Sequence, residues 1–274
     1  MRCTYVIPYL TASESLKAAI AHVLKDPEAR VVAVKDERAK AGSNGPGGEQ
    51  VARQGRLLLV ADGQHKGYSR AVNLGIEQAR ETGAPELLCI VNDDVGFAGA
   101  MPPELDGLPE NAGLIGVLSN RAGYQSLMYS FDENGDFLYP DLPPADLETR
   151  FRGTFEKLGP RYMPVPLVHG FCFFIRPEVL DKIGGIDEGA FPSGYGSDFD
   201  LSMRAQAAGY QNYVWSGACV WHEGSRSAGR DQRRIRSIGA DFVLRKRYGA
   251  AYADARFKTR NRMRIHLGNL VDFS

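Results

Sequence analysis

The chain has 274 residues, 43% hydrophobic and 24% charged, an ordinary globular composition that can bury a large core without disulfide staples. Lys and Arg balance Asp and Glu at 33 each, so no net charge drives the whole chain toward nucleic acid or membranes. No apolar run approaches the roughly 20 residues of a membrane span, and the first residues lead into a strand pattern without a signal-peptide pattern. A soluble, cytoplasmic protein is expected.

Thr4-Tyr5-Val6-Ile7 is an apolar run expected to end at Pro8, which has no N–H for a central ladder. Residues 16–24 carry Leu16, Ile20, Val23 and Leu24 at helical spacing, and 31–34 form a second strand pattern. A polar, glycine-rich loop occupies 39–49. A third strand is expected at 57–60, a helix at 68–80 and a fourth strand at 87–91, which runs directly into Asn92-Asp93-Asp94. Continuous apolar strands separated by helices indicate a parallel sheet covered on both faces. Ligands of such sheets gather at the carboxyl ends of strands. Asp36, Asp62 and Asp94 fall just past such ends, where they suit cations or ribose hydroxyls.

The second half is less regular. A strand is expected at 114–118, followed by Ser119-Asn120-Arg121, and then a surface helix at 145–158. Residues 165–175 read as one or two strands interrupted by His169-Gly170. A short helix at 177–183 starts with Pro, where the missing N–H does no harm. A Gly/Pro/Tyr loop at 184–196 precedes a helix at 197–208, and strands near Tyr213 and Val220 lead to Trp221-His222. With no repeat and no linker, 1–274 is expected to be a single domain. Residues 224–274 hold thirteen Lys or Arg against four Asp. This basic, helical tail (225–274) is a candidate for peripheral contact with a membrane surface or an anionic lipid-linked acceptor; the plainer reading is a solvated helical face. Cys3, Cys89, Cys172 and Cys219 all sit in apolar runs and read as buried free thiols.

Three segments carry chemistry. Asn92-Asp93-Asp94 at a strand tip offers hard oxygen ligands for a divalent ion on a diphosphate, although paired acids there also make plain turns. In Gly194-Tyr195-Gly196-Ser197-Asp198-Phe199-Asp200-Leu201, Asp200 shares a helix face with Arg204 and suits an ion pair. Ser197 and Asp200 fit a capping box. Asp198 has no such local partner and suits a general base facing an acceptor hydroxyl. His222 becomes a ligand only if the fold brings it to Asp94; a lone His after a strand is otherwise a buried core histidine.

In order and spacing over residues 4–236, these segments together resemble the inverting glycosyltransferases of family 2. The resemblance rests on Val6-Ile7-Pro8-Tyr9, the Gly67–Ile76 stretch, Asn92-Asp93-Asp94-Val95, Ser119-Asn120 through Gln125-Ser126, Gly170-Phe171-Cys172, Ile183-Gly184-Gly185-Ile186-Asp187, the Gly194–Arg204 run and His222. It implies an α/β, GT-A fold, with a Rossmann-like, mostly parallel central sheet flanked by helices and a smaller acceptor-side sheet region. The nucleotide-sugar-binding half is then 1–118 and the acceptor half 119–224. By the same resemblance, Asp94 and His222 hold a divalent metal (Mn²⁺ or Mg²⁺), and Asp198 is the catalytic base. Pro8, Tyr9 and Asp36 line the nucleoside pocket with Asn92 and Asp93 beside it, and Arg70 lies near the diphosphate at its helix N-terminus. The implied partners are a nucleotide-sugar donor and a glycan, lipid-linked or other hydroxyl acceptor, in polysaccharide or glycoconjugate synthesis; nucleic acid is not among them. The chain departs from the family pattern at Asn92, where Asp is usual, at Val34-Lys35-Asp36, which lacks Asp-x-Gly-Ser, and at Ser197, which stands for an acid. Alternatives are a retaining transferase, a non-catalytic nucleotide- or sugar-binding protein, and a nucleotidyltransferase. The last wants a phosphate loop that Tyr9-Leu10-Thr11-Ala12-Ser13 lacks.

Overall fold

A computed structural model of the protein describes residues 2–36, 50–61, 63, 67–98, 107–133, 137–141, 143–224 and 230–267. The expected loop at 39–49 and Asp62 lie outside them. The elements in the first half are β1 (Cys3–Tyr9), α1 (Glu14–Val23), β2 (Arg30–Lys35), β3 (Gln50–Gln54), β4 (Leu57–Ala61), α2 (Tyr68–Glu81), β5 (Leu87–Val91), β6 (Val95–Ala98) and β7 (Ala112–Ser119). After a single 3-10 turn at Gly123–Gln125 come β8 (Ser130–Phe131), β9 (Phe137–Leu138), α3 (Pro144–Leu158), β10 (Tyr162–Pro164) and β11 (Cys172–Ile175). The chain continues through α4 (Pro177–Ile183), α5 (Ser197–Ala207), β12 (Gln211–His222), α6 (Arg230–Tyr248) and α7 (Ala250–Leu267).

The main sheet runs β10-β12-β7-β11-β5-β1-β2-β4-β3, with β6 paired to β12; β8 and β9 form a separate pair. Strands β4, β2, β1, β5, β7 and β12 point one way, while β3, β11, β10 and β6 oppose them. The result is the expected mostly parallel α/β sheet, covered by helices on both faces. Alternation along β1 feeds two cores. Val6 joins Val34, Val72 and Leu74 of α2's layer. Tyr5 and Ile7 join Leu16 and Val23 of α1's layer.

Pro8 does not end the first strand, which continues to Tyr9, with Pro8 level with Val34 of β2. The Tyr9 carbonyl accepts from Asp36 N–H at 2.8 Å, so Tyr9 bonds toward β2. By alternation, Pro8's missing N–H faces β5, and pairing to β5 has already stopped at Val6. Residues 165–171 are not strand either. The N–H groups of Leu167, Val168, His169 and Gly170 go to side-chain oxygens of Thr259, Ser202, Gln125 and Asp198. Backbone donors satisfied this way have no ladder to join. The two strands expected near Tyr213 and Val220 are one strand, β12, whose register against β7 shifts between Gln211 and Tyr213 and again between Trp215 and Cys219.

Helices α6 and α7 close onto α5 through Leu167, Phe191, Met203, Leu244, Tyr252 and Ala255. Asp200 is fully buried there. Its carboxylate accepts from Arg204 at 2.8 Å, Arg247 at 2.7 Å and the Tyr248 hydroxyl at 2.6 Å. The expected ion pair with Arg204 is thus present, and the expected capping box is not. Gly196 is the N-cap, in left-handed backbone (φ 81°), and the Ser197 hydroxyl donates to the Gly194 carbonyl instead. All four cysteines are buried free thiols. No described helix is long and apolar enough to cross a membrane.

Candidate active site

The parallel strands deliver their carboxyl ends to one rim. β5 ends at Val91, and the Asn92-Asp93-Asp94 turn leads into β6, which pairs with the last residues of β12. That pairing sets His222 opposite Val95, and the Glu223 N–H donates to the Asp94 carbonyl at 3.0 Å. The His222 ring follows: Nε2 faces Asp94 Oδ1 at 3.3 Å, while Nδ1 lies 2.7 Å from the Arg121 carbonyl. The ring stacks on Phe171 at 5.4 Å. Burial lowers the basicity of His222, but the Asp94 hydrogen bond and charge outweigh it and the net shift is upward.

Asp198 sits in the first turn of α5. Its carboxylate accepts from Gly170 N–H at 2.7 Å and Phe199 N–H at 2.9 Å. Sequence reasoning left it without a local partner; the structure gives it two backbone donors. Burial nevertheless pushes its pKa up to about 6 against those donors. The Gly170-Phe171 dipeptide ties the two halves of the site together. Gly170 holds Asp198, and a Cβ there would lie 2.9 Å from the Asp198 Cβ. The Phe171 carbonyl accepts from Asn92 N–H at 2.9 Å and its ring backs His222.

Tyr68, absent from the sequence-based candidates, stands among these groups. Its hydroxyl donates to Asn92 Oδ1 at 2.9 Å. Burial raises its pKa, and the charges of Asp198, Asp93 and Asp94 add to that. Gly194, at φ +83°, leaves room for the Tyr68 ring, which a Cβ would meet at 2.4 Å. Asn120 is a second missed residue. It is 3% exposed, and its Oδ1 accepts the His222 N–H at 2.7 Å. The signal for Tyr68 was its place at the first helical position after Gly67, at the mouth of a βα unit.

Pro8 is buried at the end of β1, and Tyr9 meets Asp36 through the backbone bond already described. Asp93 accepts a backbone hydrogen bond at Leu10, and burial, then the Asp94 charge, push its pKa up to about 6. Those predicted donor-side residues therefore share one rim with Asn92 and Asp94. Arg70, in the first turn of α2, forms ion pairs with Glu77 at 3.6 Å and Glu188 at 3.8 Å.

A histidine nitrogen and a carboxylate oxygen facing each other, with the second ring nitrogen held by a carbonyl, fit a divalent cation. Among the described residues, no group of three or more His, Cys, Asp or Glu converges to hold a metal.

No family profile matches the chain. It is 31% identical over 198 residues to the N-acetylglucosaminyl-diphospho-decaprenol L-rhamnosyltransferase of Mycobacterium tuberculosis, an alignment spanning 66% of this chain and 63% of that protein. It is 29% identical over 178 residues to the uncharacterised protein Rv1525 of the same species, spanning 64% of this chain and 61% of that one. The chain thus spans about three fifths of the length of these mycobacterial relatives. Among solved structures, GalNAc-T7 with UDP, GalNAc and Mn²⁺ superposes with a TM-score of 0.61 at 16% identity, over 93% of this chain and 49% of that one. The mannosyltransferase PcManGT of Pyrobaculum calidifontis, in complex with GDP-Man and Mn²⁺, gives 0.54 at 15% identity, over 97% and 69%. At such identities the likeness establishes architecture: the chain has the GT-A fold of these glycosyltransferases.

Proposed function

We propose that the protein transfers a sugar from a nucleoside-diphosphate sugar to an acceptor hydroxyl with inversion, as a family 2 glycosyltransferase. The carrying observation is the convergence of Asp198 with the Asp94–His222 pair through Gly170-Phe171, on a GT-A scaffold. The rhamnosyltransferase relative, and structural neighbours solved with GDP-Man and Mn²⁺ or with UDP, GalNAc and Mn²⁺, support the same reading.

In this reading Asp198 takes the proton of the acceptor hydroxyl. The acceptor oxygen bonds to the anomeric carbon as that carbon's bond to the diphosphate breaks, and the diphosphate leaves with the bonding electrons. The Gly170 and Phe199 N–H groups fix the direction in which the base faces. Pro8, Tyr9 and Asp36 flank the nucleoside, and Asn92, Asp93 and Tyr68 lie between it and the base. Asp94 and His222 would hold a divalent cation, whose charge neutralises the departing diphosphate. Arg70, in the first turn of α2, lies toward the diphosphate in this reading.

General-base catalysis contributes about 10²–10⁴-fold. Asp198→Asn is expected to lower turnover by that factor while leaving nucleotide affinity within about twofold, since the group acts only in the transition state. Near-normal turnover in that variant sinks the assignment, and a product with retained anomeric configuration sinks the single displacement.

A further inference from the structure

Helices α6 and α7 present large apolar side chains that none of the described residues covers. On α6, Ile235, Ile238 and Phe242 follow i, i+3, i+7 spacing and are 69%, 61% and 67% exposed. The opposite face of α6 holds the helix to the body: Leu244 is buried, and Arg247 and Tyr248 bond Asp200. The stripe therefore faces outward. At 3.6 residues per turn, Arg234 and Arg245 border it on one side, Arg245 paired with Asp241 at 2.5 Å, and Lys246 borders it on the other. On α7, Phe257 and Ile265 lie two turns apart, 63% and 78% exposed, among Arg260, Arg264 and Lys258, the last paired with Asp254 at 2.7 Å.

Single exposed apolar residues need no explanation. Five of them on consecutive helices, each group framed by basic residues, form a pattern. A helix with an apolar strip and arginine or lysine borders lies in the plane of a membrane interface. We propose that the outer face of α6 and α7 docks on an anionic lipid surface, the apolar side chains entering the headgroup–acyl boundary and the basic borders meeting lipid phosphates. The basic borders select this occupant. A symmetric pairing of two copies through the stripe would bring Arg234, Arg245 and Lys246 near their own counterparts, with like charges opposed. Anionic lipid complements them. The proposal stands whether or not the transferase reading does. Through Arg247 and Tyr248 on Asp200, the docked face is joined to α5, the helix that carries Asp198.

The test is flotation of the full chain with phosphatidylcholine vesicles, with and without phosphatidylglycerol, at low and high salt. The wild type is expected to float with the anionic vesicles alone, and to be released by high salt. Ile235→Ser/Ile238→Ser/Phe242→Ser should bind roughly 100-fold more weakly, from lost apolar burial. Arg234→Gln/Lys246→Gln should bind roughly 30-fold more weakly, from two lost basic contacts. The second pair keeps the test decisive should the triple variant fail to fold. No binding to either vesicle overturns the proposal, as does equal binding to both. A concentration-dependent dimer in solution that the triple variant abolishes reassigns the face to a second copy.

Discussion

At the level of single residues, Asp198 carries the most specific consequence. Its carboxyl is raised to about 6 by burial, and a base works only when ionised. The kcat/KM profile of the proposed transfer reaction should therefore rise from acid with a limb near pH 6, and this limb should vanish in whatever activity Asp198→Asn retains. A flat profile down to pH 5 contradicts the role. Linkage fixes the sign for stability. The folded state holds this proton more tightly than the ordinary value of 3.8 implies, so the benefit is complete below that value and is lost as pH rises through about 6. Asp198→Asn is accordingly expected to raise the melting temperature at pH 7. Asp94, Asp198 and His222 were readable because each ends a local pattern: an acidic turn after an apolar strand, the odd acid in a helix's first turn, a His at a strand end. Tyr68 and Asn120 were not. Their partners Asn92 and His222 are 24 and 102 positions away, and only the folded sheet brings them together.

At the level of elements, close packing decides where local propensity points the other way. Gly75 lies inside α2, where Ala is intrinsically favoured by about 1 kcal/mol. A Cβ there would meet Val6 Cγ1 at 2.4 Å and Val34 Cγ2 at 3.0 Å, both stiff side chains of buried central strands. Overpacking of that kind costs about 1–3 kcal/mol, so Gly75→Ala should lower the urea midpoint, and an unchanged or higher midpoint refutes the packing argument. The buried Asp200 cluster makes a stronger claim. Removing one partner of a buried ion pair typically costs about 3–5 kcal/mol, so Asp200→Ala should destabilise on that scale. It should also speed proteolysis within α6 and α7, which lose Arg247 and Tyr248 as anchors; proteolysis unchanged there refutes the anchoring role. Among the strands with apolar runs, Leu87–Val91 was legible to the residue and β1, β2, β4 and β7 to within two residues at each end. The short or polar ones were not. Gln50–Gln54 is an edge strand whose sequence shows little hydrophobic alternation, and Val95–Ala98 gains its strand character from pairing with β12.

At the level of the whole molecule, the mostly parallel α/β sheet followed from the alternation of apolar strands and helices in the first half, and the GT-A expectation came from the family resemblance. The second half depends on side chains that take backbone donors, as Thr259, Ser202, Gln125 and Asp198 do along 167–170, and such bonds leave no periodic trace in sequence. The sheet brings the ends of β1, β2, β5 and β12 to one rim, and the central claim is that this rim is a cation-dependent nucleotide-sugar site. Calorimetric titration with UDP, GDP and dTDP, each with and without Mn²⁺, on wild type and Asp94→Ala, tests it most directly. The account predicts that one nucleotide binds in the presence of Mn²⁺ and that Asp94→Ala abolishes this binding. Binding of none of them with Mn²⁺ present, or binding that Asp94→Ala leaves intact, contradicts it.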